Sequence, residues 1–328
     1  MLNQPARRDE TLGDVPVALF AYARPEHLRH TLECLRMNRV PRIYAFSDAA
    51  KTPAQRAGVA EVRRLLRAVD WCEMSVVERP ENLGLGASIR AGVAAVLSRH
   101  ESVLVFEDDL VCVEGTYRYL SAALAHYAND RQVMSVTGWN HPRLIPADVI
   151  DQPFFDGRAE CWVWGTWRRA WEGMDQDAMT LMRRCEAKGI DPYAWGADLV
   201  QMAETEQARN IWAVRFIYLH ILNGGLCMRP PHSLVEHIGV DAAATNAVAS
   251  DEWANPPLQA CPPVPVVWPD AVEHPHARSL AVAAFGRRPE AEVQAFRDRL
   301  RSTMRRVLPA AVLQTCRRLR AASTGGHV

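Results

Sequence analysis

The first hundred residues alternate between short apolar runs and longer stretches in which apolar positions recur every three or four residues. Residues 15–21 (VPVALFA) form a continuous apolar run, the pattern of a parallel strand buried on both faces. The run ends at Tyr22-Ala23-Arg24-Pro25, and Leu28, Leu32 and Leu35 then mark one side of a helix over 26–37. Pro25 suits the first turn of that helix, where a missing N–H costs nothing. A second strand is predicted over 42–47 (RIYAFS), ending at Asp48, followed by a helix over about 54–68 and a strand near 74–78. The segment Asn82-Leu83-Gly84-Leu85-Gly86 predicts a turn into a helix that runs to Leu97. Residues 102–106 (SVLVF) form another buried strand, closed by Glu107-Asp108-Asp109.

Strand and helix alternating at this spacing predict an α/β protein with a doubly wound, mostly parallel sheet flanked by helices. Ligands of such sheets bind at the carboxyl ends of the strands, so the polar residues that follow each strand are the place to look for chemistry. The acidic triplet is the sharpest of these signals. A solvated loop also carries acidic residues, but three consecutive carboxylates at a strand end suit a hard cation such as Mg²⁺ or Mn²⁺. These ions take one or two protein carboxylates and complete their shell with phosphate oxygens. Arg24 and Asp48 follow strands of the same sheet and belong at the same edge. There a guanidinium can hold phosphate, and a carboxylate can accept from a ribose hydroxyl or a base N–H.

Four stretches, AYARPEHLRHTLECL at 21–35, FSD at 46–48, VFEDDLVCVEGTYRYL at 105–120 and MSVTGWN at 134–140, together resemble the GT-A glycosyltransferases. CWVWGTWRRAW at 161–171 and WAVRFIYLHILNGGLCMRPPHSLVEHIGVD at 212–241 extend the likeness, which covers roughly 15–246. The chain is similar to bacterial sugar transferases and, more distantly, to N-acetylglucosaminyltransferase I. The resemblance implies a Rossmann-like GT-A domain that moves a sugar, with inversion, from a nucleotide diphosphate donor (UDP-, GDP- or dTDP-sugar). The acceptor would be a glycan or a lipid-linked molecule in bacterial surface polysaccharide assembly. It also implies that Asp109 is the ligand of Mn²⁺ or Mg²⁺; relatives often carry a His in a Thr-His context where this chain has Thr245-Asn246, and His237 is the candidate to serve the metal or the diphosphate instead. Glu107 and Asp108 would contact the donor, Arg24 and Asp48 would hold the nucleotide, and Ser88 and Arg90 would line the donor cleft.

Six tryptophans lie between Trp139 and Trp195. Aromatic faces stack on sugar rings, so Trp139, Trp162 and Trp164 are candidates for contact with sugar or acceptor. Trp164, Trp167 and Trp171 are also spaced three and four apart, as core positions of a helix are. An inverting transferase needs a carboxylate to deprotonate the attacking hydroxyl. Relatives place an Asp after the tryptophan that corresponds to Trp212, where this sequence has Ala213. Asp198, Glu204 and Glu206 are the nearby alternatives, each of which also reads as an exposed helical carboxylate. Asp198 comes first because Trp195-Gly196 before it suggests a shaped loop.

Composition narrows the setting. Lys plus Arg and Asp plus Glu both number 38, so no bulk positive charge calls for nucleic acid. No apolar run approaches a membrane span, and the N-terminal residues lack the apolar segment of an export signal. The eight cysteines form no Cys-x-x-Cys pair, which points to reduced thiols in a cytoplasmic protein. Prolines crowd residues 255–270, and ten arginines against three acidic residues lie between Arg287 and Arg320. The expected organisation is a tail at 1–14, a GT-A domain at 15–250, a Pro-rich linker or strap at 251–285 and a basic helical extension at 286–328. That extension reads either as a helix packed on the domain or as one touching anionic lipid at the inner face of the membrane. Two rival functions remain at this stage. A sugar-phosphate nucleotidylyltransferase would carry a Gly-rich loop where this chain has Tyr22-Ala23-Arg24-Pro25, and a non-catalytic scaffold would not need the triplet.

Overall fold

The computed structural model describes residues 14–239, 253, 256–264 and 268–290. The chain divides into two compact units, Met1–Phe285 and Gly286–Val328. The expected tail at 1–14 and the basic helix beyond residue 290 lie almost wholly outside the described residues. Among those residues no helix is long and apolar enough to cross a membrane.

The first half of the first unit forms as its periodicity predicts. Strand β1 (Val17–Ala21) starts just after Pro16, which has no N–H for a ladder but whose carbonyl accepts from the Leu104 N–H at 3.0 Å. Helix α1 (Pro25–Met37) opens on its proline, buries Leu28, Leu32 and Leu35, and ends with Arg36 at the negative end of its dipole. Strand β2 (Arg42–Ser47), helix α2 (Arg56–Arg67), strand β3 (Glu73–Glu78), helix α3 (Leu85–Leu97) and strand β4 (Ser102–Glu107) follow. These four strands pair in parallel in the order β3-β2-β1-β4, with Phe20 level with both Phe46 and Glu107.

The second half extends the sheet. After strand β5 (Leu110–Cys112) and helix α4 (Thr116–His126) come strands β6 (Val133–Thr137), β7 (Phe154–Asp156) and β8 (Trp164–Trp167). Helices α5 (Arg168–Trp171), α6 (Ala178–Ala187), α7 (Asp198–Arg209) and α8 (Ala213–Asn223) follow. Strands β9 (Leu226–Arg229) and β10 (Val235–His237) and helix α9 (Ala277–Phe285) complete the unit. The finished sheet runs β3-β2-β1-β4-β8-β6-β9-β7, and six of its eight strands point the same way, with β8 and β7 antiparallel. The expected α/β class with a mostly parallel, helix-flanked sheet is therefore what the chain adopts.

Alternation along β1 divides the interior in two. Val17, Leu19 and Ala21 face α1, α2 and α4, whereas Ala18 and Phe20 face α3 and the α6–α8 group. Strand β8 does the same to two tryptophans: Trp164 enters the second core and Trp167 the first. Their spacing of three suggests a helical stripe, but the strand sends them to opposite faces. Trp164 is 1% exposed and stacks on Trp212 and Trp171, with ring centroids 5.0 and 5.7 Å apart.

Helices α7 and α8 meet at Asn210, which takes a left-handed conformation (φ 52°, ψ 43°) and closes α7. The turn presses on the 82–86 segment, with Asn210 Nδ2 donating to the Leu83 carbonyl at 3.3 Å. A Cβ on Gly86 would stand 2.4 Å from the Asn210 carbonyl oxygen, and Gly84 sits at φ 72°. The two glycines are therefore required for close approach and backbone conformation.

Two stability predictions follow from these contacts. Gly86→Ala is expected to destabilise the chain by about 1–3 kcal/mol, because overpacking against backbone outweighs the better helix propensity of alanine. Denaturant unfolding measures it, and an unchanged midpoint would contradict the tight approach. The second concerns His220, which is fully buried; its Nδ1–H donates to the Phe216 carbonyl and its Nε2 accepts from the Ser135 hydroxyl, both at 2.8 Å. Burial lowers its pKa to about 4, so it stays neutral when folded, whereas the unfolded chain takes up a proton below about 6.5. Stability is fully present above that value and falls by about 3 kcal/mol as pH drops toward 4. Melting curves across that window are expected to show a shallower decline for His220→Gln than for the parent.

Candidate functional site

The carboxyl ends of β1, β2 and β4 open into a cleft of about 590 Å³, whose far wall is the turn between α7 and α8. Its most charged part is the turn at the end of β4. Asp108 and Asp109 occupy the two positions between β4 and β5, at 3% and 4% exposure. Arg24, at the end of β1, places Nη2 3.1 Å from Asp108 Oδ1 and 2.5 Å from Asp109 Oδ2. The Tyr22 N–H donates to Asp108 Oδ2 at 2.9 Å. Thr31 on α1 holds the backbone of the same turn, with its hydroxyl 3.0 Å from the Asp108 carbonyl and 3.1 Å from that of Leu110.

The opposite side of the turn is built by a two-stranded antiparallel ribbon that periodicity did not reveal. β10 pairs antiparallel with β5, setting His237 level with Leu110, and the Ile238 N–H donates to the Asp109 carbonyl at 2.9 Å. His237 Nε2 lies 3.2 Å from Asp109 Oδ2, and its ring stacks on Trp162 with centroids 4.8 Å apart. Gly239 closes over the pair: a Cβ there would fall 2.8 Å from Arg24 Nη1 and still nearer to Asp109 Oδ2. Asp109 thus spends one oxygen on Arg24 and His237, while Oδ1 is buried without a partner among the described residues, as is His237 Nδ1.

The charge states follow from this packing. Burial, reinforced by Asp109 and Asp108, pushes the Glu107 carboxyl up to about 8. Burial raises Asp108 to about 6 against the opposing pull of Arg24. Burial also works to raise Asp109, but His237 and Arg24 together outweigh it and hold this carboxyl below its ordinary range. Burial disfavours the Arg24 charge too, yet the two aspartates keep its pKa above the usual value. A crowd of carboxylates with one open oxygen is a place where a divalent cation relieves repulsion. Among the described residues no cluster of three or more His, Cys, Asp or Glu side chains is arranged as a metal site. Asp109 Oδ1, without a partner among the described residues, is the oxygen of this turn that a cation would engage.

The sequence-predicted residues divide clearly. Arg24, Asp48, Ser88, Glu107, Asp108, Asp109, His237 and Trp162 all line the cleft. Asp48 lines it while holding the opposite loop: its carboxylate accepts from the N–H groups of Ala49, Leu83 and Gly84 at 2.9–3.0 Å. Arg90 does not line the cleft; its Nε is directed to the Gly86 carbonyl of its own helix, 3.4 Å away. Trp139 and Trp164 are likewise outside it. Trp139 is buried edge-on against Trp162, and Trp164 is in the second core.

The three carboxylates considered as general base are also corrected. Asp198 makes a paired contact with the Arg158 guanidinium at 3.0 and 2.7 Å. Glu206 is buried against Arg215 and accepts from the Ala178 N–H at 2.8 Å, which binds α7 to α6 and α8. Glu204 is exposed on α7 and does not line the cleft. Asp198 and Glu206 each pair with a buried guanidinium, which needs a carboxylate, and neither lines the cleft. Conversely, Lys51, Gln55, Arg209, Asn210, Trp212 and Gly239 line the cleft without having been singled out. The one usable signal was Asn210, an asparagine at the end of a helical stretch, where left-handed caps form.

No protein-family model matches this chain, and a search of curated proteins finds no match. Among solved structures it is similar to the mannosyltransferase PcManGT from Pyrobaculum calidifontis, solved in complex with GDP-Man and Mn²⁺. The two share 14% identity with a TM-score of 0.39, over 70% of this chain and 58% of the mannosyltransferase. The matched region thus spans little more than half the length of that protein.

Proposed function

We propose that the chain is a GT-A-type glycosyltransferase that binds a nucleotide diphosphate sugar in the cleft at the carboxyl ends of β1, β2 and β4. The observation that carries this reading is the acidic turn after β4, where Asp109 lines the cleft and keeps one buried oxygen, Oδ1, without a partner among the described residues. The location supports it as well, since parallel sheets bind ligands at their strand ends. Asp109 would hold Mn²⁺ or Mg²⁺, with His237 beside it, and a bound cation would offset the charge of a departing diphosphate. Arg24 orients Asp109 and Asp108, Glu107 lines the donor cleft beside them, and Trp162 lines it next to His237. In the reaction the acceptor oxygen bonds to the anomeric carbon as the bond to the diphosphate breaks. The bonding pair leaves with the diphosphate, and the hydroxyl proton goes to a base. Inversion, a glycan or lipid-linked acceptor, a cytoplasmic setting at the membrane face and a role in bacterial surface polysaccharide assembly belong to the same proposal and rest on the sequence resemblance.

Ala213 lines the cleft where the resemblance calls for a carboxylate, and this favours a second reading: a protein that binds the donor without turning it over. Calorimetry of the full chain with UDP, GDP, CDP and dTDP, with and without Mn²⁺, tests the shared premise. One nucleotide is expected to bind in a metal-dependent manner, and Asp109→Asn is expected to weaken it at least about tenfold, about 1.4 kcal/mol. Binding of none of the four would end the donor reading. Donor hydrolysis or transfer by the parent, lost in Asp109→Asn, separates the enzyme from the silent binder.

A further inference from the structure

The cleft is cationic in an uneven way. Arg24 is committed to Asp108 and Asp109, so the β1–β4 side presents a diphosphate with three carboxylates and one already paired guanidinium. Two other cations line the cleft, Lys51 and Arg209, and among the described residues neither side chain has a carboxylate or hydrogen-bond partner. Lys51 lies in the exposed loop after β2. Arg209 differs in how firmly its backbone is placed: it is the last residue of α7, next to Asn210, whose close approach to Gly84 and Gly86 fixes the turn.

That contact sets Arg209 beside the start of α3, where the first-turn N–H groups have no intrahelical partner and the dipole favours an anion. A second feature points to a ligand at the same place. Ser88, 5% exposed, lines the cleft from the first turn of α3, and among the described residues its hydroxyl makes no hydrogen bond. A hydroxyl that lines the cleft with its donor unspent can donate to a bound anion.

We infer that Arg209 binds the diphosphate of the donor from the helical wall of the cleft, with the Ser88 hydroxyl and the first turn of α3 completing the subsite. This deepens the donor reading and rests on it. Arginine suits the role because its planar fork can hold two phosphate oxygens at once and stays charged at any working pH. The subsite divides the work of neutralising the diphosphate between Asp109 with its cation on the sheet side and Arg209 on the helical side. It also explains why a flexible, exposed arginine is carried on a turn whose backbone is so tightly fixed.

The experiment is calorimetry on the full chain, using whichever of UDP, GDP, CDP or dTDP the parent binds, together with its nucleoside and with pyrophosphate alone. Arg209→Ala is expected to weaken the diphosphate and pyrophosphate roughly 10- to 100-fold and to leave the nucleoside unchanged. Arg209→Lys is expected to recover part of the loss, and the melting temperature is expected to hold, since the exposed side chain makes no hydrogen bond or ion pair among the described residues. Unchanged diphosphate affinity in Arg209→Ala would overturn the subsite while leaving the donor reading intact. An equal loss for diphosphate and nucleoside would also overturn it, by showing a shifted wall. If the parent binds no nucleotide, the donor reading itself fails, and the subsite fails with it.

Discussion

Asp108 and Asp109 are buried side by side at the end of β4, with the Arg24 guanidinium in contact with both. Two adjacent carboxylates out of water repel each other and lose hydration, and an uncompensated pair there would be costly. Arg24 comes from the end of β1, the strand next to β4, so the ion cluster exists only if β1 and β4 pair in the observed register. Tyr22 and Thr31 add backbone and hydroxyl contacts to the same turn from β1 and α1. The parallel half of the sheet and the acidic turn are thereby one structural statement: the sheet positions the guanidinium, and the guanidinium permits the acids.

The remainder of the site is assembled around that cluster from distant parts of the chain. The β5–β10 ribbon brings His237, Ile238 and Gly239 against Asp109, and leaves one carboxylate oxygen buried without a partner among the described residues. Asp48 ties the 82–86 turn to the end of β2, and Asn210 presses on the same turn from the helical side. The cleft is therefore bounded by segments that hold one another in place. One wall carries the Asp109 carboxylate, and the other carries Arg209, whose side chain has no ion-pair partner among the described residues.

Several groups with an apparently chemical character serve packing instead. Asp198 and Glu206 neutralise Arg158 and Arg215 and so join the α6–α8 group to itself and to the β7–β8 connection. Arg229, fully buried, is matched by Asp156 and Glu160. Removing one partner of such a pair leaves a buried charge, so these residues resist change for reasons unrelated to catalysis. The tryptophans divide in the same way. Trp164, Trp171 and Trp212 stack together between the sheet and α8, and Trp162 alone of the three tryptophans considered for sugar contact reaches the cleft.

How much was legible depends on the range of the interaction concerned. Buried runs of period two and amphipathic stretches of period 3.6 are local, so β1 to β4 and α1 to α3 could be placed within a few residues. So could the expectation that Arg24, Asp48 and the triplet share one edge, because parallel strands carry their following residues to the same end of a sheet. Local pattern could not show that Trp164 and Trp167 lie on a strand, because a spacing of three is shared by a helix stripe and by two opposite faces of an antiparallel strand. Nor could it show the short β5–β10 ribbon, which joins residues more than a hundred positions apart through three pairs. Whether an acid serves as a free base or as the partner of a buried arginine was decided the same way. Asp198 and Glu206 look like surface carboxylates in sequence, and only tertiary packing brings Arg158 and Arg215 within reach of them. Sequence alone therefore determined the parallel half-sheet and the chemistry gathered at its edge. The tertiary structure decided which of those groups remain free to act, because freedom is a matter of what lies within a few ångströms, and that distance is set by contacts between segments the chain order does not join.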